Sequence, residues 1–299
     1  MSRKRTRVWD LAKGILIIMV FLAHVPYGEH IWKTWVFSFH MPAFFLISGI
    51  LMHGSATLEN SFGSFLKKKA FRLLLPVPFF ELLAYAEVLL HWHGHFRLAE
   101  FLGKYLQVDL WNHADWFLLS LFAAECLFYA VNRKRKLILP SAAGAFAAAL
   151  FVSFTPLSRY LMSYCFVACG YLLKDVLSED SRVFIPGSAV LFIGANLLNP
   201  VRLDMHNAVY GNPVYMFVAA LSGSCLLFAA CRRMQNIPLV DRIGQYSLII
   251  MGTHMPVLEI AHRMTDRTLY VLVIAALIEI PAAYITGRIL PFLRPKGNM

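Results

Sequence analysis

"FSFHMPAFFLISG", residues 37–49, has the hydropathy of half a membrane-spanning helix, yet it carries His40 beside Pro42 and ahead of Ser48 and Gly49. Upstream, "KGILIIMVFLAH", residues 13–24, has Lys13 at one end and His24 at the other. An ionisable side chain in hydrocarbon is costly unless it faces a bundle interior, a cavity or a partner. Both stretches therefore read as membrane helices that turn a polar group inward, and the fold class expected is an all-α, polytopic membrane helix bundle.

The rest of the chain extends that reading. Its 299 residues are 59% hydrophobic and only 15% charged, with a mean hydropathy of +0.59. A soluble protein of this size exposes too much surface to be so apolar. The 24 Phe, 12 Tyr and 6 Trp suit rings that face lipid or sit at its interface. Apolar runs long enough to cross about 30 Å of hydrocarbon fall at 9–27, 34–53, 72–90, 114–131, 137–154, 160–176, 183–199, 213–231, 243–261 and 268–290. About ten spans place both termini on one side of the membrane. If that side is the cytoplasm, twenty of the 28 Lys and Arg lie in inner segments and seven in outer ones, with Lys13 inside a span. Such a bias is the positive-inside signature. The formal charge of +11 is then topology and attraction to anionic membrane lipids, and no nucleic acid partner is expected.

A single domain over 1–299 is expected, since the loops are short and no repeat is visible. The loop 91–113 opens with "HWHGHF", three histidines at alternate positions that lack a carboxylate or cysteine beside them; a solvated interfacial loop is the better reading than a metal site. The five cysteines lie in or at the ends of apolar stretches without zinc spacing, so no metal is expected. The basic start "MSRKRTR" leads into a run containing Asp10 and Lys13, which does not read as a cleavable signal peptide.

Helical spacing organises the polar residues of the first run. His24 is eleven residues after Lys13, within about 20° of whole turns, so the two share a face about 16 Å apart along the axis. Asp10 is one turn before Lys13, at pairing distance. Taken singly, Asp10 and Lys13 fit interfacial anchors and His24 a packing histidine. His40 changes the balance, because its helix runs the other way and brings it to a depth where it can approach His24. Pro42 is expected to free a backbone carbonyl nearby, and Ser48–Gly49 to let helix backbones approach closely.

These stretches resemble the acyltransferase 3 family of integral-membrane acyltransferases, particularly its branch similar to fucose 4-O-acetylases. "WDLAKGILIIMVFLAH" resembles the family's opening motif of a basic residue, ten residues and a histidine; "FSFHMPAFFLISG" resembles its second-helix motif ending FFxxSG. "KKKAFRLLLP" resembles the third-helix entry, with Arg72 the matching arginine; "DWFLLSLFAAE" (115–125) and "IGQYSLIIMGTH" (243–254) resemble later segments. One departure stands out: the wider family commonly has arginine where this chain has Lys13, which keeps the charge but loses the bidentate fork.

The resemblance implies transfer of an acetyl or other acyl group from cytoplasmic acetyl-CoA to a hydroxyl of a carbohydrate, a surface glycan or glycolipid precursor, at the bacterial inner (plasma) membrane. His24 is then the general base, with His40 and Asp10 as further catalytic candidates. Lys13, Arg72, Lys69 and Ser48 are candidates for the donor site, and Trp116, Glu125 and His254 for the acceptor site. No cysteine accompanies a histidine in either leading motif, so direct transfer through a ternary complex is favoured. The rival reading is a secondary transporter whose intramembrane Asp, Lys and His form a proton relay. Oligomeric state is left open.

Overall fold

Each of the ten apolar runs is helical over most of its described residues in the computed structural model, which describes residues 3–25, 31–53, 55–92, 97–106, 110–178, 184–199, 201–234 and 237–293. The helices are α1 (Arg3–His24), α2 (Ile31–Phe37), α3 (His40–Met52), α4 (Phe62–Leu73), α5 (Val77–Trp92), α6 (Leu98–Leu106), α7 (Trp116–Asn132), α8 (Ile138–Phe151), α9 (Thr155–Leu172), α10 (Lys174–Ser178), α11 (Phe184–Leu198), α12 (Pro213–Arg233), α13 (Pro238–Gln245), α14 (Ser247–Met264) and α15 (Thr268–Ile289). Among the described residues there is no β-strand, only an isolated bridge between Asp204 and Val209. Four helical segments are long and apolar enough to cross a membrane by length and composition: Ile31–Met52, Phe62–His91, Pro213–Arg233 and Thr268–Ile289. His93 and His95 of the "HWHGHF" loop lie outside the described residues.

Two close crossings set the bundle. At the α3–α9 crossing, a Cβ on Gly49 would lie 2.0 Å from the Val167 carbonyl oxygen, and one on Gly170 would lie 2.1 Å from that of Leu46. The small residue next to Ser48 thus does what the sequence suggests: it brings two backbones together. At the other, α1 meets α13, with Gly14 against the Val240 carbonyl and Gly244 against that of Asp10. The Arg7 Nε donates to Asp241 at 2.7 Å across the same pair.

Two prolines act differently from each other. Pro42 falls in the first turn of α3, where a missing N–H removes no helical bond. The break in the second run comes instead at Ser38–Phe39, between α2 and α3. Pro256 does sit inside its helix, so the carbonyl four residues earlier, on Gly252, loses its helical donor. Asn112 Nδ2 supplies the replacement at 2.7 Å. Asn112 is 1% exposed. Its own N–H and that of Trp111 donate to the Glu81 carboxylate at 3.2 and 2.8 Å. A polar staple therefore joins α5, the turn before α7 and the middle of α14.

Candidate active site

One end of the bundle encloses a cavity of about 290 Å³. Its walls are the last turn of α1, the α2–α3 junction, the turn entering α7, the loop after α11 and the middle of α14. His24, His40 and His254 all line it, as do Trp116, His113 and His206. The two histidines singled out by depth therefore do converge. His254, the third on a helix, stands 5.2 Å from His24 between ring centroids with the rings near perpendicular. Phe37 lies between the other two, 6.1 Å from His24 and 5.0 Å from His40.

The three helix histidines share one hydrogen-bond arrangement. Nδ1 of His24 lies 2.8 Å from the Val20 carbonyl, Nδ1 of His40 2.8 Å from that of Val36, and Nδ1 of His254 3.0 and 2.9 Å from those of Ile250 and Met251. A carbonyl oxygen only accepts, so in each case Nδ1 carries the hydrogen and donates. That leaves Nε2 of each neutral ring with its lone pair, the form a proton acceptor needs. His40 and His254 are buried at 2% and 1% exposed, and among the described residues the His254 Nε2 has no hydrogen-bond partner. His24 differs, being exposed where the cavity opens.

The remaining candidates sit elsewhere. Asp10 and Lys13 form the expected pair, 2.8 Å apart, with Lys13 eleven residues down α1 from His24, and Gln245 Nε2 donates to Asp10 at 3.4 Å. Ser48, Lys69 and Glu125 are drawn together. The Ser48 hydroxyl donates to Glu125 at 2.7 Å and the Lys69 ammonium pairs with its other oxygen at 2.8 Å. This cluster links α3, α4 and α7 and lies outside the cavity lining. Arg72 is exposed on α4 beside exposed Lys67 and Lys68.

The depth argument missed two histidines, because it weighed only groups inside apolar runs. His113 and His206 come from short connections, His206 from the segment 201–210 that roofs the cavity. This roof is built into the fold. Leu203, Met205 and Tyr210 are buried, Asp204 and Val209 exchange backbone bonds of 2.9 Å, and the Tyr210 hydroxyl meets Ser158 at 2.9 Å. The nearby "HADW" and "DMHN" were the available signals, each a histidine beside a polar or aromatic neighbour.

A membrane-type helical bundle closed around a histidine-lined cavity is the class this geometry defines. The sequence profile of the Acyltransferase domain family (acyltransferase 3) matches residues 7–289, and the chain belongs to that family. It is similar to the nodulation protein NolL of Sinorhizobium fredii (strain NBRC 101917 / NGR234), 30% identical over 202 residues that cover 64% of this chain and 54% of that protein. It is also similar to the nodulation protein NolL of Mesorhizobium japonicum (strain LMG 29417 / CECT 9101 / MAFF 303099), 29% identical over 214 residues that cover 61% and 51%. The chain spans about half the length of these relatives. No solved structure matches it.

Proposed function

We propose that the protein is an O-acetyltransferase of the bacterial inner membrane, with about ten spans and both termini in the cytoplasm. It moves an acetyl group from acetyl-CoA to a carbohydrate hydroxyl. The observation that carries this reading is the convergence of His24, His40 and His254 on one cavity, each with Nδ1 held by a backbone carbonyl. All three line the cavity; His24 is the one that is also exposed, which favours it as the base.

In the reaction, the acceptor oxygen attacks the thioester carbonyl carbon while His24 Nε2 takes the hydroxyl proton. Collapse of the tetrahedral intermediate expels the thiolate of coenzyme A, which regains that proton from the imidazolium. General-base assistance of this kind contributes about 10²–10⁴ in rate. The described residues lining the cavity include no serine, threonine, cysteine or lysine, which supports direct transfer over an acyl-enzyme on such a residue. His254 stands against the His24 ring and helps fix its orientation. On the inner side, the exposed Lys67, Lys68 and Arg72 suit the phosphates of the donor, with Lys13 one turn above Asp10 as a further charge.

Membranes containing the protein, supplied with labelled acetyl-CoA and the host's glycolipid fraction, test the proposal. Wild type should transfer label to glycan, and His24→Ala at equal abundance should lose about 10²-fold or more. Undiminished turnover in His24→Ala would return this residue to a packing role.

A further inference from the structure

A buried acceptor without a donor is a cost that folded proteins rarely carry, and His254 carries one. Its ring lines the cavity but is 1% exposed, with Nδ1–H held by the carbonyls of Ile250 and Met251. Its Nε2 is closed to water and has no partner among the described residues. The backbone that carries the ring is fixed on each side. The Thr253 hydroxyl donates to Glu279 of α15, and Asn112 holds the Gly252 carbonyl. A Cβ on Gly252 would lie 2.3 Å from the Phe80 ring, so α14 and α5 are also in close contact at this level.

The polar group beside this lone pair is His24. The two ring centroids are 5.2 Å apart, which leaves room for one N–H···N bond of about 3 Å between ring edges. Among the described residues, His24 is the titratable side chain that acts on His254; Lys33, Asp204 and Arg202 act on His24 as well. A sugar hydroxyl suits the His254 lone pair less well, because a nitrogen that water does not touch is not open to a substrate. In the neutral state both rings offer Nε2 as an acceptor, and two acceptors form no bond. One proton changes this. With a hydrogen on Nε2, His24 becomes an imidazolium with a second donor, and charged donors make the stronger hydrogen bonds.

We propose that His254 is a positioning residue for the transferred proton: its Nε2 accepts a hydrogen bond from Nε2–H of protonated His24 and holds the imidazolium between the two halves of the reaction. This rests on the acetyltransferase reading and deepens it. The acceptor's O–H bond breaks as its oxygen bonds to the thioester carbon, and the proton goes to His24 Nε2. While the tetrahedral adduct lasts, that N–H rests on His254. The C–S bond then breaks, its electron pair leaves with sulfur, and the thiolate takes the proton from His24. His254 itself gains and loses nothing. It stabilises only the charged state, the kind of contact that raises turnover without tightening substrate binding.

Two measurements test this, and the first needs no acceptor. The full chain, labelled with ¹⁵N-histidine in nanodiscs, is acidified until His24 protonates. Solid-state NMR should then show a hydrogen bond from His24 Nε2–H to His254 Nε2. A protonated His24 without that bond overturns the proposal. The second is the transfer assay with labelled acetyl-CoA and the glycolipid fraction. His254→Phe keeps a ring against His24 but has no lone pair. Its kcat should fall about tenfold or more, the scale of one charge-assisted hydrogen bond, with the KM for acetyl-CoA unchanged. His254→Gln returns an acceptor oxygen and should regain part of the loss. Full turnover in His254→Phe, or equal loss in both variants at equal abundance, makes His254 a packing residue and also overturns the proposal. If His254→Phe fails to accumulate, the wild-type spectrum decides alone. A wild type that forms the bond yet transfers no label sinks the acetyltransferase reading only, so the two failures are separable.

Discussion

A histidine in a membrane helix is defined by which nitrogen is occupied, and the bundle assigns this by position. Where the ring reaches back to the carbonyl one turn earlier, as His24, His40 and His254 do, Nε2 is left to accept. Where it stands in the roof against Arg159, Nε2 donates. His206 also makes a prediction about pH. Its folded pKa, about 4, lies below the ordinary 6.5, so the unfolded chain takes the proton first and the folded state loses stability as pH falls from about 6.5 towards 4. The groups that act on it are Arg159, Asp204, His113 and His24. Thermal unfolding in detergent across that window should therefore show a smaller acid loss for His206→Gln than for wild type. An identical pH profile in the variant would show that His206 does not titrate there. The sequence revealed His24 and His40 because an imidazole inside an apolar run is conspicuous on cost alone. It did not reveal His113 or His206, since histidines in polar connections incur no such cost. Nor did it mark Arg159 or Arg202, because the burial of the one and the stacking of the other depend on a roof that no periodicity announces.

Helices were legible as runs; their interruptions were not. A hydropathy window passes over Ser38–Phe39, Leu74–Pro76 and Tyr246 without change, yet helices end at all three. Prolines gave a partial signal, because the effect of each depends on whether it lies in a first turn, like Pro42, or an interior, like Pro256. The interior case has a consequence that can be measured. Asn112 covers the Gly252 carbonyl that Pro256 strips of its donor, two residues before His254. Asn112→Leu should leave that carbonyl unpaired at a buried site, costing about 1–3 kcal/mol. It should also loosen the wall that carries His113 and Trp116. Adding Pro256→Ala restores an N–H at the fourth residue after Gly252, so the double variant should regain much of the lost thermal stability. If Pro256→Ala gives the same change with Asn112 present or absent, the two residues are not coupled and the staple does not hold α14. One glycine crossing belongs to the part that could be read in advance: Gly49 beside Ser48 proved to be a point of backbone contact, whereas the Gly14 and Gly244 crossing was not read.

The inner donor proposed above and a cavity at the far end of α1 pose a problem of reach, and α1 is the element that would span it. At its N-terminal half it is clamped to α13 through Gly14, Gly244 and the Arg7–Asp241 pair; at its C-terminal end it presents His24 to the cavity. In the proposed reaction, a long, flexible pantetheine arm suits a path along this helix, with the charged end held at the N-terminal half of α1. Lys13 is the residue on which the idea turns, because it has a competing occupation in its 2.8 Å pair with Asp10. If Lys13 is a point charge for the donor, Lys13→Ala should raise the Michaelis constant for acetyl-CoA strongly at undiminished abundance. Lys13→Arg should retain much of the activity, since it keeps the charge and adds the fork common in the family. If Lys13 only neutralises Asp10, then Lys13→Ala strands a partly buried carboxylate and lowers the amount of protein in the membrane. Removing the stranded charge as well, in Asp10→Asn with Lys13→Ala, should then recover both abundance and activity. Measuring the constant for acetyl-CoA beside abundance in all three variants separates the cases. A fully active double variant with an unchanged constant would remove Lys13 from the donor path and leave the exposed α4 cations, Lys67, Lys68 and Arg72, as its entrance.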